Sequence, residues 1–313
     1  MDMNKRALKL FDRLIDEASE LKVAVQRIAE ATVVDAGVEC EGSTEAGLII
    51  TEICLGGLGR ASLAPMNVGG LYLPCVYVTT DYPAVSTLAS QFAGWKISHN
   101  GYFAMGSGPA RAIVRKPKWI YKLLNYSEPP EVAVLQLEAD KLPPESVVEK
   151  IARDLGVPSR NLHIVVAPTS SLAGSTQIAG RIVETGIHKL VDLGLNPNSI
   201  LYGCGSAPIA PLHPDSAVQM GRTNDALMLG GAVYLVVKGG DKLEDIVPKA
   251  PASASPSYGK PFYEIFKEAG FDFYKIDKGL FAPAKIVVND IMTGKTYSAG
   301  EINPQLLMKS FTA

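Results

Sequence analysis
The sequence predicts an α/β protein made of two layered α/β domains with a cleft between them. Three observations carry that expectation. Apolar, β-rich runs, "LPCVYVTT", "EVAVLQLEA", "LHIVVAP" and "AVYLVV", alternate with helical stretches at 43–55, 144–155, 175–193 and 261–269, the alternation of an α/β layer. The length of 313 residues suits one large domain or two ordinary ones. Two segments rich in Pro and polar residues, "NYSEPPE" at 125–131 and "VPKAPASASPSYGKP" at 247–261, resist regular structure and read as seams.

Placing boundaries at those seams gives an outer domain of residues 1–128 plus 258–313 and an inner domain of 129–257. The tail then returns onto the N-terminal half, and a single sheet with a long surface loop is the alternative. In chain order, residues 4–30 read as one long helix, with Leu8, Phe11, Leu14, Ile15, Ala18, Leu21, Val25 and Ile28 at helical spacing before "ATVVDAG" turns extended.

Composition excludes several classes. Hydrophobic residues make up 47% and charged residues 20%, so the chain has none of the charge excess of a disordered protein. A formal charge of −2 with scattered basic residues lacks the field that draws proteins to nucleic acid or anionic lipid. The start, "MDMNKRALKLFDRLIDEASELK", interleaves charges with its apolar residues and matches neither a secretory h-region nor a spanning helix. Cys40, Cys54, Cys75 and Cys204 lie far apart and read as buried thiols of a cytoplasmic protein.

Chemical motifs are sparse. His99, His163, His188 and His213 have no paired spacing, so no metal site is expected. "LGGLGRAS", "AMGSGPARA" and "YGCGSAP" read as tight turns, since none completes a dinucleotide or Walker motif. Within "GSGPARA", Pro109 at a first helical position and Arg111 one turn in suit an anion site. The serines of "APTSSLAGS" sit in no nucleophile elbow and suit helix capping or a substrate oxygen.

The informative stretch is "GSTQIAGRIVETGIHK", 174–189. As a helix it carries Arg181, Glu184, Thr185 and His188 within about one hundred degrees of its circumference. Ile182, Val183, Ile187, Leu190 and Val191 supply a core stripe opposite. A solvated ion pair and a catalytic face both fit this spacing. Gly174, Ser175, Ala179 and Gly180 leave room for close approach of a ligand or another backbone, and Gly180 in mid-helix costs ~1 kcal/mol against Ala.

Seven phrases, "AGLIITEICLGGLG", "DYPAVSTLASQFAGW", "GYFAMGSGPARA", "APTSSLAGSTQIAGRIVE", "MGRTNDA", "YGKPFYEIF" and "DFYKIDKGLFAPA", follow one another in the order of the methenyltetrahydromethanopterin cyclohydrolase family. The chain resembles that family over almost its whole length, and "EICLGGLG", "GSAPIAPLHPD" and "MGRTNDA" resemble its bacterial-type members. The resemblance implies a cytoplasmic homotrimer of two-domain α/β subunits, without metal or redox cofactor. Its reaction interconverts the N5,N10-methenyl carrier and water with the N5-formyl carrier, in formaldehyde oxidation or in methanogenesis. It further implies that Arg181 and Glu184 are the catalytic R-x-x-E.

The carrier has a pterin head, a long arm and acidic groups. For it the resemblance suggests Ser107, Gly108 and Arg111 as anion contacts, Tyr102 or Phe103 as a stacking ring, Asn224 and Asp225 as pterin-edge partners and Lys260 for the acidic tail. Phe103 as core, Asn224 and Asp225 as a helix cap, and Lys260 as a solvated charge are the structural alternatives. A different pterin or folate one-carbon hydrolase, and a carrier-binding protein without turnover, are the alternative functions.

Overall fold
The computed structural model describes residues 2–68, 70–240 and 242–312. The chain opens with α1 (Met3–Asp16), the hairpin β1 (Ala24–Ile28) and β2 (Ala31–Asp35), and α2 (Thr44–Cys54), then two long strands, β3 (Gly59–Val68) and β4 (Leu71–Thr80). A π-helix, Ala84–Gln91, leads to β5 (Trp95–His99), β6 (Tyr102–Ser107), α3 (Arg111–Val114) and α4 (Lys118–Leu124). Next come β7 (Ala133–Glu138), α5 (Glu145–Leu155), β8 (Leu162–Val166), α6 (Leu172–Ala179), α7 (Ile182–Asp192) and β9 (Ile200–Pro208). The last part holds α8 (Ser216–Gly230), β10 (Ala232–Val237), α9 (Leu243–Ile246), α10 (Phe262–Glu268), β11 (Lys285–Asp290), β12 (Thr296–Gly300) and α11 (Pro304–Thr312).

Packing divides the chain into two units. The first runs to Arg60 and resumes over Ala84–Gln177; the second takes Ala61–Pro83 and everything from Ile178. This differs from the boundaries expected near 128 and 258, because neither Pro-rich segment is a free linker. In the first, Glu128 is buried and its carboxylate accepts the Met3 and Asn4 N–H groups and Asn4 Nδ2, at 2.5, 3.0 and 2.6 Å. It thereby satisfies donors that the first turn of α1 leaves open. In the second, Ala252 N donates to Pro283 O, and Ser255 Oγ to Asp277. The tail follows suit, since β11 pairs in parallel with β10.

The first unit holds, among the described residues, a six-stranded sheet ordered β1-β2-β8-β7-β6-β5. Strands β2, β8 and β7 are mutually parallel, and each reads as a near-continuous apolar run, as strands covered on both faces do. One face packs Leu135, Leu137, Ile164 and Val166 against Val147, Val148, Ile151 and Leu155 of α5. The other packs Val34, Val134 and Val165 against α1, α2 and Ala173 of α6. The helix expected over 4–30 ends at Asp16. Its second half is the β1–β2 hairpin, whose two turn residues, Ala29 and Glu30, take φ of 47° and 68°. A helical count of apolar residues masks the strand "AVQRI", which pairs along β2 with Val25 and Arg27 exposed and Gln26 and Ile28 half-buried.

The second unit holds, among the described residues, a six-stranded sheet ordered β12-β11-β10-β9-β4-β3. It is antiparallel except for the β10–β11 pair. "YGCGSAP", expected as a turn, lies within β9, pairing with β4 on one side and β10 on the other. No helix among the described residues is long and apolar enough to cross a membrane.

Candidate active site
The stretch 174–189 is two helices, not one. Helical continuity breaks at Gly180–Arg181, between α6 and α7, where Arg181 N turns back to Ile178 O at 2.9 Å. The glycine that looked costly in mid-helix therefore sits in a break and leaves no helical turn to weaken. Gly174 has its own reason: a Cβ there would stand 1.9 Å from Pro168 O. What approaches it is another stretch of backbone.

Helix α7 begins with Arg181 at its N-cap position, and Glu184 lies in its first turn. The Arg181 carbonyl accepts from Thr185 N and Thr185 Oγ1 at 2.9 and 3.0 Å, fixing the first turn. Glycines seat the helix on its sheet. A Cβ on Gly205 would meet Ala232 O at 2.8 Å and Ile182 Cγ2 at 3.2 Å; one on Gly203 would meet Val183 Cγ1 at 3.0 Å; and Gly186 lies against Val233. Lys189 ties the far end, donating to Gly279 O at 3.2 Å.

Arg181 and Glu184 are each only 7% exposed. That burial sets aside a solvated surface pair, because a desolvated charge is costly unless it is paired or hydrogen-bonded. The positive end of the α7 dipole favours a negative charge in its first turn, where Glu184 sits. The wedge becomes wet further along: Thr185 is half-buried and the His188 side chain is 27% exposed, with Nε2 3.8 Å from Asp192.

The remaining expected contacts fall into two groups, one in each unit. In the first unit Ser107 Oγ donates to Gln136 Oε1 at 2.7 Å, and Gly108, at φ 100°, donates its N–H to Ser90 O. Arg111 is fully buried. Its guanidinium donates to the carbonyls of Lys116, Leu88 and Ser90 at 2.9, 3.2 and 3.0 Å and packs over the Phe92 and Tyr121 rings. In place of the expected anion contact it braces the end of the π-helix, since α3 is one turn long and its cation faces inward. Tyr102 is buried with its hydroxyl on Lys141 O, and burial pushes that phenol above its ordinary range. Phe103, on the opposite face of β6, is 55% exposed under Lys96 Nζ.

In the second unit Asn224 Nδ2 donates to Met220 O within α8. Asp225 is fully buried; it accepts Phe262 N at 3.1 and 3.0 Å and Ser310 Oγ at 2.6 Å. Burial pushes its carboxyl up to about 7, against the pull of Ser310 and Phe262. Asp225 thus caps α10 and holds α11, the structural alternative to a pterin contact. Lys260 is exposed and pairs with Glu268 at 2.6 Å. Sequence reasoning passed over Glu138 and Thr169, hydrogen-bonded at 2.8 Å where β7 ends. A strand-end carboxylate in a parallel sheet was the signal available. Among the described residues no three His, Cys, Asp or Glu side chains converge as metal ligands would.

Together these features define a class of α/β protein in which a buried guanidinium at the N-cap and a buried carboxylate in the first turn share one glycine-seated helix. The chain belongs to the cyclohydrolase family: the family described as Cyclohydrolase (MCH) matches residues 2–311. The methenyltetrahydromethanopterin cyclohydrolase of Methanothermobacter marburgensis is 48% identical over 317 residues, with 99% of both chains covered. That of Methanocella arvoryzae is 48% identical over 313 residues, covering 99% of this chain and 98% of its own. That of Methanocaldococcus jannaschii is 46% identical over 316 residues, with the same shares covered.

Proposed function
We propose that this protein hydrolyses N5,N10-methenyltetrahydromethanopterin to N5-formyltetrahydromethanopterin, reversibly, as an enzyme of one-carbon metabolism. Full-length likeness to cyclohydrolases supports the activity. The observation that carries the chemistry is the burial of Arg181 and Glu184 in one helical turn.

The methenyl carbon lies between two nitrogens in a cationic amidinium and is electrophilic before anything is done to it. What the reaction needs is a delivered water. Glu184 accepts one proton from that water as its oxygen bonds to the methenyl carbon, giving a neutral tetrahedral adduct. The carbon–N10 bond then breaks; N10 takes a proton from the Glu184 carboxyl, and the adduct hydroxyl loses its own as the formyl C=O forms on N5. One proton leaves the site overall. Arg181, at the N-cap of the same helix, positions the Glu184 carboxylate, and the carboxylate complements the cationic substrate.

The chemistry calls on no metal and no redox cofactor, and tetrahydromethanopterin enters as the carrier of the reacting carbon. The enzyme works in the cytoplasm as a homotrimer, an assembly that light scattering of the purified protein measures directly. Loss of methenyl absorbance tests the whole reading. Wild type consumes the chromophore, and Glu184→Gln retains binding while turnover falls by roughly 10²-fold or more. Near-normal turnover in that variant removes Glu184 from the mechanism, and binding without hydrolysis by wild type makes the protein a carrier.

A further inference from the structure
We propose that the outward face of α4 docks an acidic amphipathic helix of another protein, which it reads with a row of cations laid beside an apolar row. The inference goes beyond the cyclohydrolase reading and invokes none of the residues that reading uses. It rests on the charge of one stretch of chain and on the way one short helix is turned.

From 82 to 127 the sequence holds Lys96, Arg111, Arg115, Lys116, Lys118 and Lys122 and no Asp or Glu. The formal charge of −2 for the whole chain conceals this local excess. Two of these cations are engaged within the unit: Arg111 is fully buried, and Lys116 Nζ lies 5.1 Å from the centre of the Trp95 ring and 3.8 Å from Asp154. Arg115, Lys118 and Lys122 are exposed, and among the described residues none of the three has an ion-pair partner. The next acid along the chain, Glu128, is buried and serves α1.

Helix α4 is turned so that Ile120 and Tyr121 are buried, with the Tyr121 hydroxyl donating to Ala89 O at 2.8 Å. That leaves Lys118 and Lys122 in one outward row and Trp119 and Leu123 in the next, all within about 140° of the helix circumference. Trp119 is 43% exposed and Leu123 40%. Apolar side chains left outward in two successive turns form a patch rather than a scatter. Cations four residues apart complement carboxylates spaced in the same way on a helix laid alongside. An anionic bilayer answers to the charge but not to the rows, and two apolar side chains on a seven-residue helix give it little to hold. A second copy of the chain is a poor complement, because exposed carboxylates of its helices already serve its own cations, Glu17 with Arg13, Asp154 with Lys150 and Glu264 with Lys309.

Titration of the full-length protein tests this, with Trp119 as reporter, since the other tryptophan, Trp95, is buried. The probe is a synthetic helical peptide carrying a Glu row at i, i+4 spacing beside a Leu row. Its controls are the same composition with the rows scrambled, and a version with Lys in place of Glu. The Glu/Leu peptide should shift Trp119 emission to the blue and shield it from acrylamide, with a Kd that rises about tenfold or more between about 0.05 and 0.5 M salt. Lys118→Glu combined with Lys122→Glu should weaken that binding about tenfold or more and take up the Lys peptide instead, while methenyl hydrolysis is unchanged. Absence of any emission change with the Glu/Leu peptide, or equal binding of the scrambled one, overturns the proposal. Tighter binding to vesicles of phosphatidylcholine and phosphatidylserine than to the peptide gives the face to a membrane, and a changed light-scattering mass in the doubly substituted protein gives it to a second copy. Either result removes the acidic helix as occupant.

Discussion
Gly205→Ala tests whether the position of α7 is set by the glycines beneath it. The added methyl would stand 2.8 Å from Ala232 O, 3.2 Å from Ile182 Cγ2 and 3.3 Å from Val183 Cγ2. Ala232 O is backbone inside a paired strand, so it cannot turn aside, and relief must come from α7 lifting or β9 bending. Overpacking of this kind costs roughly 1–3 kcal/mol. Replacing a strand glycine returns about 0.5–1 kcal/mol through the unfolded chain, leaving a net loss of about 1–2 kcal/mol. Gly203→Ala is the control: its nearest neighbours are the side-chain tips of Val183 and Leu235, at 3.0 and 3.2 Å. Those can yield, and the expected change is within about 0.5 kcal/mol. Urea unfolding should rank Gly205→Ala below Gly203→Ala and wild type. Because a displacement near 1 Å costs about 10²-fold in rate, a lift of a few tenths of an ångström should lower turnover by roughly three- to tenfold. A Gly205→Ala protein with unchanged stability and unchanged turnover would refute the claim that these glycines place Arg181 and Glu184.

Two further outcomes are expected. Asp225 keeps its proton up to about pH 7 when folded and releases it near 3.8 when unfolded, so wild-type stability falls as pH rises between those values, by at most about 1.4 kcal/mol per pH unit. Asp225→Asn lacks that slope, which urea midpoints at several pH values across the window measure; an identical slope in both proteins contradicts the assignment. Arg111→Met takes the guanidinium from the carbonyls of Lys116 and Leu88 and leaves Ser90 O to the Gly108 N–H alone, and should cost about 2 kcal/mol or more, about 1 for each carbonyl that loses its guanidinium donor without another. Thermal unfolding reads that loss, and a variant as stable as wild type would show that the guanidinium braces nothing.

Much of the architecture was legible because α2, α5, α10 and strands β4, β7, β8 and β10 each carry one unambiguous period. Legibility failed where two periods overlap or where a distant partner decides. Val25 and Ile28 satisfy a helical count, yet they belong to a strand because β2 pairs beside them. The glycines of "YGCGSAP" suggested a turn; they lie in a strand because a helix presses on it. Proline in "NYSEPPE" suggested a linker, and no local signal could reveal that Glu128 reaches residues 3 and 4. At the candidate site, spacing put Arg181 and Glu184 on one face and the family resemblance implied their role, but neither revealed their burial. Burial depends on which surfaces close over a helix, and that is a property of the assembled chain.

The interleaving of the two units also sets an order of events during synthesis. Residues 61–83 of the second unit are made before most of the first, so β4 emerges as far as Thr80 and must wait for β9, which starts at Ile200, to cover its inner edge. Meanwhile β2 has to wait for β8. In a nascent chain of this protein each of these two strand edges therefore stays uncovered through more than a third of translation, a period in which chaperone protection matters more than the final stability of either unit.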